Sequence, residues 1–131
     1  MTNWIIPCNL KLYDVYGAFK ALNSLDWMQS NPNIEVGDYV YIYVGAPVSA
    51  IVFKCLVTKA KLKKIEIDDS KYVIKGDKYL SASLHMELKL IKQYPNDLFT
   101  AKILEEHDVK GRIMGQRRMK DSTKAYIDSK E

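Results

Sequence analysis

The chain has 131 residues, 47% of them hydrophobic and 27% charged, with a formal net charge of +4; these are values of one globular domain, not of a disordered or fibrous chain. No apolar run nears the roughly 18 residues of a membrane span, no basic stretch precedes a signal-peptide core, and two cysteines, Cys8 and Cys55, are too few for a disulfide scaffold. A soluble, cytoplasmic, single domain over residues 1–131 is the expectation, and the mild positive charge permits a polyanionic partner without requiring one.

In chain order, Trp4-Ile5-Ile6 reads as a short strand ended by Pro7. Asp14 is placed to cap a helix carrying Val15, Ala18, Phe19 and Leu22 at i, i+3, i+4, i+7 spacing. Asn23-Ser24 would close it, and residues 25–33 read as irregular, with turn chemistry at Asn31-Pro32-Asn33. The period then becomes two: Val40, Ile42 and Val44 alternate with Tyr39, Tyr41 and Tyr43, a strand with two distinct faces. After the Gly45-Ala46-Pro47 turn, a second strand over 50–58 sets Ile51, Phe53, Cys55 and Val57 on one side. Basic residues 59–64 extend it or form an exposed edge.

Residues 65–83 carry little pattern beyond a turn at Lys75-Gly76-Asp77. Met86, Leu88 and Leu90 mark another strand. Asn96-Asp97 would then cap a helix bearing Leu98, Ala101 and Leu104, with Gly111 as its C′ residue. Residues 112–119 are expected to return to the sheet, and 120–130 to form a short helix or a frayed tail. Strands outnumber helices in an antiparallel-like pattern, so the fold class is α+β, a small barrel with packed helices.

Catalytic and metal motifs are not found in this sequence. Cys8, Cys55, His85 and His107 lack any metal-ligand spacing, a Cys–His nucleophile pair has no local signature, and there is no phosphate-cradling glycine loop. No metal and no cofactor are expected, and no enzymatic activity. Trp27 is a better lead, because a tryptophan beside a polar turn offers a stacking face with hydrogen-bonding groups nearby; it also suits a core plug. The nine tyrosines include the Tyr39, Tyr41, Tyr43 stripe, a binding platform or the second packed face of a sheet. All three arginines, Arg112, Arg117 and Arg118, fall in one segment with Lys110 and Lys120, suited to phosphates or to a solvated edge.

The order of these features resembles the EVE domains of the PUA-like superfamily, which also holds the YTH and ASCH domains. The resemblance runs from Trp4-Ile5-Ile6-Pro7-Cys8-Asn9 through Tyr13-Asp14 and Ala18-Phe19 to Asp26-Trp27-Met28-Gln29-Ser30. It continues through Ile34-Glu35-Val36-Gly37-Asp38-Tyr39-Val40-Tyr41-Ile42-Tyr43-Val44, Pro47 and the following strand to Cys55, and ends with Gly111 to Arg118. It departs at Met28, where many members carry a basic residue able to contact phosphate or base.

The resemblance implies a β-barrel of five or six mostly antiparallel strands flanked by two or three helices, and a pocket for one modified base extruded from DNA or RNA, with Trp27 as the first aromatic wall. It places Cys8, Asn9, Tyr13, Asp14 and Ser30 along the base edge and offers Tyr43 as a further aromatic. Arg112, Arg117 and Arg118 would hold the phosphate backbone. The expected function is a monomeric, non-enzymatic reader of a modified base, most specifically modified cytosine in DNA. A nuclease or modification enzyme would act in trans, since no nuclease segment is read in the chain. Recognition of a modified tRNA or rRNA nucleotide, and a small ASCH-type nuclease, are the alternatives.

Overall fold

Strand β1 (Asn3–Cys8) runs parallel to β3 (Tyr39–Val44), from Asn3 opposite Tyr39 to Cys8 opposite Val44. The computed structural model describes residues 1–75 and 84–131. The strand continues through Pro7, which stands opposite Tyr43. On the other side of β1, antiparallel β7 (Arg117–Arg118) pairs only with Trp4 and Ile5, so no ladder bond is asked of the proline nitrogen there.

The remaining strands are β2 (Ser24–Met28), β4 (Ala50–Leu62), β5 (His85–Gln93) and β6 (Phe99–Thr100). They form one seven-stranded sheet in the order β2-β5-β4-β3-β1-β7, with β6 added to β4. All pairings except β1–β3 are antiparallel.

A barrel of five or six strands was expected, and the structure has an open sheet of seven instead. No backbone ladder joins β2 to β7 among the described residues. The two-residue β7 is too short to supply one, and a side chain bridges the seam. Ser30 and Asn31 donate their N–H groups to Gln116 Oε1 at 2.9 and 3.1 Å, and Gln116 Nε2 donates to the Met28 carbonyl at 2.7 Å. The Asn31 amide returns a bond to the Gln116 carbonyl at 3.2 Å.

Because strand side chains alternate, β3 and β1 serve two cores. Val40, Ile42 and Val44 join Trp4, Ile6 and Cys8 beneath helix α1 (Val15–Ala21), which contributes Val15, Ala18 and Phe19. Tyr41 and Ile5 face the other way, with Tyr39 and Tyr43 beside them, toward α2 (Ala101–Glu106) and α3 (Asp121–Ser129) through Leu104 and Ile127. The tyrosine stripe is therefore the second packed face of the sheet, with Tyr41 fully buried.

Three further expectations are corrected. Residues 24–28 form strand β2, not irregular loop; Leu25 and Trp27 lie opposite Leu88 and Met86, an alternation too short to stand out in the sequence. Ile51 does not share a face with Phe53, Cys55 and Val57: Phe53 pairs with Ile42 but Ile51 with Tyr43, so Val52 is a bulge that inverts the phase. Helix α2 starts at Ala101 with Thr100 Oγ1 accepting from the Ile103 N–H, and its C′ residue is the left-handed Asp108 (φ 74°); Gly111 is also left-handed (φ 72°) but lies three residues further on.

Asp14 does cap α1, accepting from the Gly17 N–H at 3.0 Å. A Cβ at position 17 would lie 2.2 Å from Asp14 Oδ2, so any side chain there must displace the capping carboxylate. Gly76 and Asp77 of the expected turn lie outside the described residues.

Candidate functional site

At the edge of the sheet, beside β2, lies a cavity of about 190 Å³. Consecutive strand residues leave opposite faces, so a cavity lined by both Asp26 and Trp27 must sit off the strand's edge, and β2 is an edge strand. The loop after β1 forms the facing wall with Cys8, Asn9 and Tyr13. Val73, which bridges to the Tyr13 backbone, joins the same lining.

The Tyr13 and Trp27 rings meet edge to face, with centroids 5.5 Å apart and planes at 74°, so they form two walls of a corner. Tyr13 is held by its hydroxyl, which donates to Asp69 Oδ2 at 2.6 Å. Asn9 uses Oδ1 to accept from the Lys11 N–H at 2.9 Å, while its carbonyl accepts from the N–H groups of Leu12 and Tyr13. These bonds turn the chain sharply after β1 and set Tyr13 opposite Trp27.

Four of the residues expected to line a base pocket, Cys8, Asn9, Tyr13 and Trp27, thus share one cavity. Three others do not line it. Asp14 is engaged in capping α1. Ser30 is exposed beyond the end of β2, where its N–H holds the Gln116 seam. Tyr43 lies on the opposite face of the sheet, at a separate cavity with Arg112 and Lys102. Gln29 of the same loop motif is buried and structural: Nε2 donates to the carbonyls of Asn31 and Ile34, and Oε1 accepts from the Lys61 N–H.

Burial pushes the Cys8 thiol up to about 12, with the nearby Asp14 charge adding to the effect. A thiol so shifted stays protonated at neutral pH and is a poor nucleophile. Cys8 therefore acts as a small apolar wall.

The sequence reading missed the polar group at this cavity. Asp26 is 2% exposed, and its Oδ2 lies 3.0 Å from His85 Nδ1, the histidine being equally buried on β5. Asp26 stands directly opposite Glu87 in the ladder, and Glu87 in turn pairs with Lys59 at 3.4 Å. Asp26 Oδ1 is buried with no hydrogen-bond partner among the described residues. Burial is the main force on this carboxyl and raises it to about 6; the His85 ring works against that rise, while the charges of Asp69 and Glu87 add to it. His85 is 59 residues from Asp26, so no local spacing announces the pair.

The basic segment is divided. Arg112 is exposed beside the Tyr43 cavity. Arg117 and Arg118 line a further crevice of about 260 Å³ with Lys110 and Lys120. Arg117 Nη1 donates to the Lys110 carbonyl at 3.0 Å, and the Arg118 guanidinium lies 5.5 Å from the Trp4 ring centroid. Arg118 is opposite Trp4 in the ladder, four residues before Cys8, which is roughly 13 Å along the strand. Among the described residues no cluster of three or more metal-ligating side chains occurs, and no helix is long and apolar enough to cross a membrane.

No family model and no curated protein matches the sequence. Solved structures do match the fold. The crystal structure of ASCH from Zymomonas mobilis superposes with a TM-score of 0.67 at 9% identity, covering 98% of this chain and 94% of that one. A hypothetical protein from Leishmania major gives 0.69 at 15% identity, over 99% and 94%. A protein from Pseudomonas putida gives 0.68 at 12% identity, over 97% of each chain. Identities this low speak to the fold alone, and the fold is shared with the ASCH structure from Zymomonas mobilis.

Proposed function

We propose that this protein is a non-enzymatic, EVE-like reader that takes one modified base, most specifically a modified cytosine in DNA, into the cavity beside β2. The observation that carries the reading is the corner of Trp27 and Tyr13 around a cavity of about 190 Å³. That is smaller than the roughly 300–1,000 Å³ of sites for drug-sized ligands and suits a single ring system. One ring offers a stacking face and the other an edge. Extruding a base costs a few kcal/mol, which stacking and desolvated hydrogen bonds must recover. Arg117, Arg118, Lys110 and Lys120 supply positive charge, with Arg118 set opposite Trp4, about 13 Å along β1 from Cys8. The protonated Cys8 thiol supports a binding role over nucleophilic catalysis.

Calorimetry with matched modified and unmodified oligonucleotides, each as DNA and as RNA, tests this. Modified cytosine in DNA should bind best, and Trp27→Ala should weaken that binding by about 1–3 kcal/mol, the contribution of one stacked base, with the fold retained. Equal affinity for modified and plain strands would refute the reading, and preference for RNA would redirect it to a modified RNA nucleotide.

A second reading, a hydrolase or nuclease of ASCH type, is favoured by the Asp26–His85 pair at the cavity. It expects turnover of nucleic acid that persists through purification and is abolished in Asp26→Asn.

A further inference from the structure

We infer that Asp26 is the specificity-determining residue of this cavity, and that it admits bases carrying at least one amino N–H while rejecting those that present a carbonyl or a fully substituted amine at that place. The inference rests on the base-binding reading above and names the chemistry of its ligand.

Asp26 is the acid that lines the cavity, and its two oxygens are unequally supplied. Oδ2 has His85 Nδ1 at 3.0 Å. Oδ1 is buried and, among the described residues, has no hydrogen-bond partner. A buried acceptor without a donor costs roughly 1–3 kcal/mol, more when charged, so a ligand that brings a donor relieves a cost already present in the free protein. One unsatisfied oxygen asks for one N–H. The amino groups of cytosine and adenine supply it, whereas uracil and thymine place a carbonyl oxygen there and would set acceptor against acceptor. His85, already committed to Oδ2, fixes the carboxylate plane and so acts as a positioning residue.

The charged state of Asp26 gives an independent readout. The groups that face it are His85 and Glu87 on β5 and Asp69 before the 3₁₀ turn at Ser70–Tyr72; Lys59 neutralises Glu87 and Tyr13 bonds to Asp69. An arriving N–H favours the ionised carboxylate, whose free-state value burial holds near 6. Binding of an amino base should therefore tighten as pH rises from 5 to 7.5.

The test is a binding series on the whole chain with one oligonucleotide carrying 5-methylcytosine, N4-methylcytosine, N4,N4-dimethylcytosine or thymine at a single position, at pH 5 and 7.5. The first two keep an N–H and are expected to bind at least about tenfold more tightly than the last two, as for sites built to meet a ligand N–H. They should also gain affinity at the higher pH. Asp26→Asn, which can turn an amide N–H toward the ligand, should move the preference toward thymine. If that variant does not fold, the wild-type series and its pH profile decide.

Equal binding of all four bases at both pH values overturns the role of Asp26 and leaves the base pocket standing. Failure of every oligonucleotide to bind overturns the pocket and the role together.

Discussion

Asp38 and Asp26 are both buried aspartates associated with a tryptophan, and their surroundings differ at every point. Asp38 Oδ2 accepts from Trp4 Nε1 at 2.9 Å and from the Glu35 N–H at 3.0 Å, while Oδ1 accepts from the Thr2 N–H at 2.9 Å. These donors hold its carboxyl below the ordinary value despite burial. Asp26 has one partner and an empty oxygen, and its carboxyl is raised. Trp4 is buried at 2% exposure, whereas Trp27 remains half-open at the sheet edge. A saturated carboxylate is a fastener for the fold; an unsaturated one beside a cavity holds binding capacity in reserve.

The largest effect expected from this contrast is at Asp38. Asp38→Ala leaves three donors without their acceptor and should cost about 3 kcal/mol or more of stability by denaturant titration. Because the folded value is depressed, its stabilisation is present above the ordinary carboxylate range and is lost as pH falls through the folded value. Wild type should accordingly lose more stability than Asp38→Asn between pH 5 and pH 2. A smaller effect, about 1 kcal/mol, is expected for Trp4→Phe, which removes one of those donors and keeps most of the packing.

The smallest effect, and the one that most sharpens the contrast, concerns Asp26. Its raised carboxyl contributes stability below the ordinary range that is lost as pH rises through about 6. Asp26→Asn cannot ionise, so its melting temperature relative to wild type should improve by a few degrees from pH 5 to pH 8. A difference independent of pH would show that the two aspartates are alike after all.

The sequence carried the periodic parts of this molecule well. The two faces of Tyr39–Val44, the amphipathic helix after Asp14 and the return of Arg117–Arg118 to the sheet all rest on local patterns. What was illegible depended on distant partners. The bulge at Val52 is visible only against Tyr43, and β2 only against β5.

At the cavity, Cys8, Asn9, Tyr13 and Trp27 were named from the sequence because they sit in two motifs. Asp26 was passed over within one of those motifs because its meaning comes from His85 across the ladder. The motifs that carried the family resemblance are in good part fasteners, since Trp4, Gln29 and Asp38 spend their hydrogen bonds on the fold. Such residues identify an architecture more readily than a ligand.

The glutamine that spans the open seam has a consequence for how freely this surface can diversify. Gln116 grips main-chain atoms of Met28, Ser30 and Asn31, so the side chains at 28 and 30, both exposed, are not needed to keep the two edges together. Position 28 can exchange methionine for a cation without unfastening anything. The rim next to Trp27 can thus be rewritten by substitution while the scaffold that holds it is inherited unchanged.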